Sequence, residues 1–151
     1  MKIFLLLFLL VIHVPAQADG GCTSKLQGFV SRSGYKVREA KPCKVWLASD
    51  ALAIPKEGGM QGMLLIAQEG SMGMLGAVVQ VKARLDLSSD LLKRLLQLNN
   101  ELEYAKVGID HDGDLFVRTE LRMDTLTEAD FKATVKNLNE AASKVWAALN
   151  K

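Results

Sequence analysis

The apolar residues of this chain change their spacing along the sequence, and that change restricts the fold more than any other feature. Near residues 23–32, Leu26, Phe29 and Val30 follow the i, i+3, i+4 spacing of a short amphipathic helix. Short apolar or β-branched runs separated by glycine and proline come next and indicate strands and turns. Pro42 stands between the first two runs, which count as one bent strand or two. These runs are residues 35–40, 44–49, 63–68 and 74–83.

The second half of the chain carries a leucine-rich helix, a hairpin and a final helix. Two alternating strands at residues 104–109 and 115–123 flank Asp112-Gly113, a pair typical of a tight hairpin turn. A stripe of apolar residues at helical spacing then continues to the C-terminus. The predicted caps are Ser88 or Ser89 for the leucine-rich helix, and Thr125 in a capping box with Glu128, or Thr127, for the final helix.

These segments predict the order α-βββ-α-ββ-α, with about five strands. An antiparallel sheet flanked by helices is the arrangement that buries such segments, so the chain belongs to the α+β class. The sequence shows no internal repeat, linker or low-complexity tract. We therefore expect one domain, over residues 19–151.

The first residues have the pattern of a cleavable export signal. Lys2 is followed by an apolar run at residues 3–12 and then by the small-residue site at residues 16–18. The run is shorter than the ~20 residues of a membrane-spanning helix. Cleavage of residues 1–18 would leave a protein with no membrane span, in the periplasm or secreted. An uncleaved anchor is the alternative.

The charge balance of the mature part argues against a general polyanion partner. The full chain has 19 basic and 17 acidic residues, and cleavage of the signal removes only Lys2 from this set. A protein so close to neutral has no electrostatic signature of a nucleic-acid-binding protein. We therefore expect no nucleic acid partner.

Both cysteines, Cys22 and Cys43, lie in the mature part of the chain. Disulfides persist in exported proteins, and no CxxC spacing indicates a redox or zinc site. We expect a Cys22–Cys43 disulfide that ties the N-terminal segment to the first strand. A lipid anchor at Cys22 is the alternative, but Asp19 stands where an aliphatic residue would be required.

Four segments in the C-terminal half match a known family: residues 95–100, 104–110, Asp112-Gly113 and 115–121. With them the chain resembles the YbjN-like family, which shares a fold group with the type III secretion chaperones. The resemblance implies a strongly twisted antiparallel sheet flanked by helices, often used for homodimerisation and for holding another polypeptide. It implies no catalytic motif. This chain departs from the secretion chaperones, which are cytosolic and acidic, in its export signal and near-neutral charge.

No group of residues predicts catalysis or a bound cofactor. The acidic turn at residues 110–114 invites a calcium site, but Leu115 and Leu121 occupy the EF-hand positions that require Gly and Glu. His111 is the only mature histidine, and no nucleophile accompanies it in the sequence. The spacing of Gly70, Gly73 and Gly76 matches no phosphate-binding loop. We expect a protein that is not an enzyme.

A group of methionines offers an alternative function in metal handling. Thioethers in an oxidising compartment select Cu(I), and in a strand Met72 and Met74 would share one face. The competing explanation is that methionine fills irregular gaps or forms an adaptable surface beside glycine-rich turns. The candidate ligands are Met60, Met63, Met72 and Met74.

Two surfaces are predicted to bind a partner. The leucine-rich helix has more leucine than one buried face requires, which indicates a homodimer contact. The hairpin face opposite the core combines aromatic and basic side chains, and such surfaces mark polypeptide contacts. We expect a non-enzymatic chaperone-like protein that binds another polypeptide or itself. The predicted contact residues are Leu91, Leu92, Leu95, Leu96, Phe116, Arg118 and Arg122.

Overall fold

The computed structural model describes residues 20–48, 52, 54 and 62–150. Six strands form one antiparallel sheet in the order β1-β2-β3-β4-β6-β5, with three α-helices. The predicted α+β class and helix and strand order are confirmed. The export signal at residues 1–18 lies outside the described residues. The elements are α1 Gly20–Arg32, β1 Lys36–Lys41, β2 Lys44–Ala48, β3 Leu64–Glu69, β4 Met72–Gln80, a 3-10 helix Lys82–Arg84, α2 Ser89–Glu101, β5 Lys106–Ile109, β6 Leu115–Arg122 and α3 Glu128–Leu149.

The sheet has six strands where about five were predicted, because the segment around Pro42 forms a hairpin. Lys41 pairs directly with Lys44, which leaves only Pro42 and Cys43 in the turn. Cys43 has a φ of 50°, in the left-handed region that a turn this tight demands. Proline restricts φ to a value that suits a turn but not a central strand. The two runs are therefore separate strands.

The helices cover one face of the sheet. Inward-facing residues of β2, β3, β4 and β6 form a single apolar cluster with residues of all three helices. Phe131 of α3 is fully buried and meets the rings of Phe29 and Tyr35 edge-on, which joins α1 to α3. Burial raises the pKa of the Tyr35 phenol. The core therefore lies between the helices and this face, and the opposite face has no part in it.

Each helix cap agrees with one of the two predicted alternatives. Ser88 caps α2, since its hydroxyl oxygen accepts a hydrogen bond from Leu91 N. In α3 the N-cap is Thr127, the predicted alternative, and its capping box is with Asp130; the predicted pairing of Thr125 with Glu128 is wrong. Because the Thr127 hydroxyl and backbone N–H both donate to the Asp130 carboxylate, the pKa of Asp130 lies below its usual value.

The predicted disulfide joins Cys22 to Cys43, with a Cα–Cα distance of 5.1 Å. Thr23 reinforces the same connection, because its hydroxyl accepts from Cys43 N at 3.0 Å and donates to the Lys41 carbonyl at 3.2 Å. The start of α1 is therefore attached to the β1–β2 turn by one covalent and two polar links.

The acidic turn between β5 and β6 is held by its own carboxylates. Asp110 accepts from Asp114 N at 2.9 Å, and Asp114 accepts from Lys82 N at 2.8 Å. Gly113 has a φ of 90° and lies against the Lys82 side chain, so glycine is needed there on both counts. These carboxylate oxygens accept hydrogen bonds from backbone N–H groups, as expected of an Asp-Gly turn in a hairpin.

Candidate functional site

The face of the sheet opposite the helices carries a continuous apolar patch, here called the open face. The core residues of β2, β3, β4 and β6 alternate with a second set of large apolar side chains. The members of this second set are all partly buried, yet none packs against the apolar core. They are Trp46, Leu65, Met74, Val78 and Phe116.

The centre of the open face is a hollow above Gly76. Trp46 pairs with Leu65, Leu65 with Gly76, and Gly76 with Arg118, so one cross-strand row passes through the hollow. Gly76 contributes no side chain, and the surrounding residues enclose a volume of about 260 Å³. A Cβ placed on Gly76 would lie 3.5 Å from its nearest neighbour, an ordinary contact. The missing side chain therefore creates a space that an incoming side chain can fill.

Phe116 forms one wall of this hollow and is held from two sides. Its ring lies against Gly108, the residue paired with it on β5, so closely that a Cβ there would come within 3.0 Å. The Arg118 guanidinium lies 5.7 Å from the ring centroid, in cation–π geometry. These contacts fix an aromatic wall with a cation at its rim.

The other predicted basic contact, Arg122, lies farther along β6 and is engaged locally. Its guanidinium donates to Asp124 at 2.8 Å. This hydrogen bond holds the pKa of Asp124 below its ordinary value and raises that of Arg122. An incoming carboxylate would have to compete with Asp124, so Arg118 is the more available of the two arginines.

The four predicted contact leucines of α2 divide into two pairs. Leu91 and Leu95 are buried in the core, each 5% exposed. Leu92 and Leu96 are 42% and 69% exposed and lie one turn apart on the outer side of the helix. Only Leu92 and Leu96 are therefore accessible to a partner.

The methionines do not converge on one point. Met60 lies outside the described residues. Met63 precedes β3 and accepts a hydrogen bond from Arg38 at 3.4 Å. Met74 on β4 pairs with Ala67 on β3. Ala67 lies four residues after Met63, so the two methionines are separated by about 13 Å along the strand direction. Met72 and Met74 share the open face and line a second groove of about 580 Å³ beside Cys43.

The described residues include one histidine and no cluster of metal-binding side chains. His111 is exposed on the β5–β6 turn. Within residues 20–48 and 62–150, no three His, Cys, Asp or Glu side chains form a group that could hold a metal. Among the described helices, none combines the length and apolar character needed to span a membrane.

Comparison with solved structures identifies the fold. YbjN from E. coli matches with a TM-score of 0.62 and 18% identity, over 83% of this chain and 89% of that one. The heterodimeric ExoU–SpcU complex of the Pseudomonas aeruginosa type III secretion system matches with a TM-score of 0.56 and 15% identity, over 82% and 97%. The chain has the fold of YbjN and the type III secretion chaperones. The predicted resemblance is confirmed at the level of fold.

A type III secretion chaperone extends the comparison. The Yersinia pestis type III secretion chaperone SycH, in complex with a fragment of YscM2, matches with a TM-score of 0.55 and 13% identity, over 82% of this chain and 98% of that one. No protein-family model and no curated protein matches the sequence. The similarity therefore shows a chaperone-like fold.

Sequence reasoning identified Phe116 and Arg118 but missed the other side of the hollow in this chaperone-like fold. Trp46, Leu65 and Val78 were counted only as members of strands. The signal was present in β3 and β4, whose nearly uninterrupted apolar runs indicate burial on both faces of a sheet. Gly76 within such a run indicates a close approach. Strand pairing was needed to show that these residues surround one point.

Proposed function

We propose that this chain is an exported, non-enzymatic chaperone-like protein that holds another polypeptide on its open face and forms a homodimer. The observation that carries the proposal is the hollow above Gly76. A monomeric domain gains nothing from leaving several large apolar side chains outside its core, whereas a binding protein needs such a patch. One apolar side chain buried there would contribute about 1.5–3 kcal/mol.

The shape of the site favours a polypeptide. The hollow is shallow and lies on a sheet face, so an extended chain can cross it while one side chain enters. Phe116 and Arg118 supply the aromatic and guanidinium groups that are enriched where proteins bind each other. The fold supports the same conclusion, because similar structures include complexes of a secretion chaperone with a second chain.

Export and dimerisation rest on separate observations. The apolar run at residues 3–12 and the small-residue site after it have the pattern of an export signal. The Cys22–Cys43 disulfide suits the periplasm or the extracellular space, where such bonds persist. The dimer contact rests on Leu92 and Leu96, whose exposure leaves an apolar strip on α2.

Filling the hollow tests the proposed function. The probe is a fluorescently labelled unfolded polypeptide, such as reduced and alkylated α-lactalbumin, followed by anisotropy. Gly76→Val adds a β-branched side chain that suits a strand and occupies the hollow, and we expect it to weaken binding about tenfold or more. Gly76→Ala adds only one methyl group and should cause an intermediate loss. A Gly76→Val protein that keeps its thermal stability and binds like the wild type would refute the proposal.

A further inference from the structure

The charges of this near-neutral chain are separated across the sheet. Residues 20–48, which form α1, β1 and β2, contain six basic residues and one acidic residue. Residues 86–124, which include α2, β5 and β6, contain nine acidic and five basic residues. The segment that supplies the β1 edge of the sheet is therefore positive, and the segment that supplies α2, β6 and the β5 edge is mostly negative. The net charge of the whole chain conceals this separation.

The positive edge reaches the open face as a group of exposed side chains, here called the basic margin. On β1 and β2, Val37 and Ala40 point toward the core, whereas the charged residues lie on the open face or at the bulge beside it. Glu39 is the acidic residue of this group, and it pairs with one lysine at 3.0 Å. The basic margin consists of Lys36, Arg38, Lys41 and Lys44.

Two of the three lysines of the basic margin can pair with an incoming anion, and the third, Lys41, is paired with Glu39. Lys36 and Lys44 form no ion pair with another described residue, and both are exposed. Lys41 lies directly opposite Lys44, and two like charges in that position repel each other. An anionic group placed between Lys41 and Lys44 would remove this repulsion and add attraction to both.

The basic margin adjoins the hollow. Lys44 and Trp46 are two residues apart on the same face of β2, which places their Cα atoms about 7 Å apart. Trp46 is also a wall of the hollow and pairs with Glu39 on β1. An extended segment that leaves the hollow toward β1 therefore reaches the basic margin within two or three residues. Leaving toward β5, it would meet Arg118 and then Lys106, the partner of Arg118 on β5, with Glu120 and Asp110 nearby.

We infer that the hollow and the basic margin form one binding surface for a polypeptide segment in which acidic residues lie beside a large apolar side chain. The inference rests on the proposed function and adds the chemistry of the partner. A lipid bilayer or a nucleic acid fits less well, because its extended negative surface would also face Glu120 and Glu69. The basic margin spans only two strands, about the width of one extended chain.

A random peptide library selected on the full-length protein tests the inference. The enriched peptides are then synthesised and measured by anisotropy against the wild type and two triple variants. One variant reverses the basic margin with Lys36→Glu, Lys41→Glu and Lys44→Glu. The matched control reverses three exposed lysines on α2 and α3. The control substitutions are Lys93→Glu, Lys132→Glu and Lys136→Glu.

We expect enriched peptides to carry Asp or Glu close to a large apolar residue. They should bind the margin variant about tenfold more weakly, since each exposed ion pair contributes modestly, and should bind the control variant within about twofold of wild type. The loss should shrink at high salt. Thermal unfolding of both variants confirms that they are folded.

The contrary outcomes separate this inference from the proposed function. Enriched peptides that are apolar without an acidic excess, and that lose binding to Gly76→Val but not to the margin variant, would overturn the inference and leave polypeptide binding intact. No enrichment of any peptide would overturn both. Equal binding of the wild type to acidic peptides lacking an apolar residue, or to phosphatidylserine vesicles, would show a general polyanion site and would also overturn the inference.

Discussion

Asn99 covers the edge of the sheet at β5, and its removal should cost stability in a measurable way. Its side-chain amide donates to the Val107 carbonyl at 2.9 Å and accepts from Val107 N at 2.7 Å. A single side chain thus provides both hydrogen bonds that a neighbouring strand would supply at that residue. Replacing Asn99 with alanine leaves the backbone donor and acceptor of Val107 without these partners.

The magnitude follows from two lost hydrogen bonds at a partly buried position. Each contributes about 0.5–1.5 kcal/mol, so we expect Asn99→Ala to lose roughly 2 kcal/mol, reduced by alanine's better helix propensity of up to about 0.7 kcal/mol. Asn100→Ala is a matched control, because Asn100 is the next residue of α2, is exposed, and gains the same propensity. The two variants should differ by about 2 kcal/mol, or roughly 8 °C in Tm for a domain of this size.

Thermal unfolding followed by circular dichroism measures this difference, and amide exchange at Val107 locates it. The Val107 N–H should exchange faster in Asn99→Ala and unchanged in Asn100→Ala. Equal Tm values for the two alanine variants, with Val107 still protected, would refute the assignment of Asn99 as the partner of the β5 edge.

Four further outcomes are expected. Thr127→Ala should destabilise the protein by about 1 kcal/mol while Thr125→Ala should not, as measured by urea unfolding. The Asp130 carboxylate has a lowered pKa, so the stability that it contributes is present at neutral pH and should be lost as the pH falls through that pKa. If the stability of Thr127→Ala fell at acidic pH in the same way as that of the wild type, this expectation would be contradicted. Reducing the Cys22–Cys43 disulfide should cost about 3 kcal/mol, and an unaltered Tm in reductant would refute it. Leu96→Glu should shift sedimentation toward monomer, and a wild type that is already monomeric at high concentration would exclude the proposed dimer.

Local pattern was enough to predict the elements of this fold, because each helix has apolar residues at helical spacing and each strand is bounded by turn residues. The strand count failed at Pro42, where the sequence alone could not distinguish a bend from a two-residue turn. That distinction depends on the pairing of Lys41 with Lys44 and on the positive φ of Cys43. Turn geometry of this kind becomes visible only once strand register is known.

The candidate site was predictable only where its residues share one strand. Phe116 and Arg118 are two residues apart on β6, so alternation placed them together. Trp46, Leu65 and Gly76 lie on three different strands, and only the register of β2, β3 and β4 makes them neighbours. The separation of charge was also invisible in the net charge, because the opposite charges of the two segments cancel in a total over the whole chain.

The difference between the two sheet edges limits how far copies of this protein can polymerise. An endless ribbon needs every molecule to join neighbours through both of its outer strands, but Asn99 occupies the backbone groups of Val107 at one end. A strand added at β5 would therefore first have to displace Asn99 from Val107. The side chain that stabilises this edge thus also opposes endless strand-to-strand growth through it.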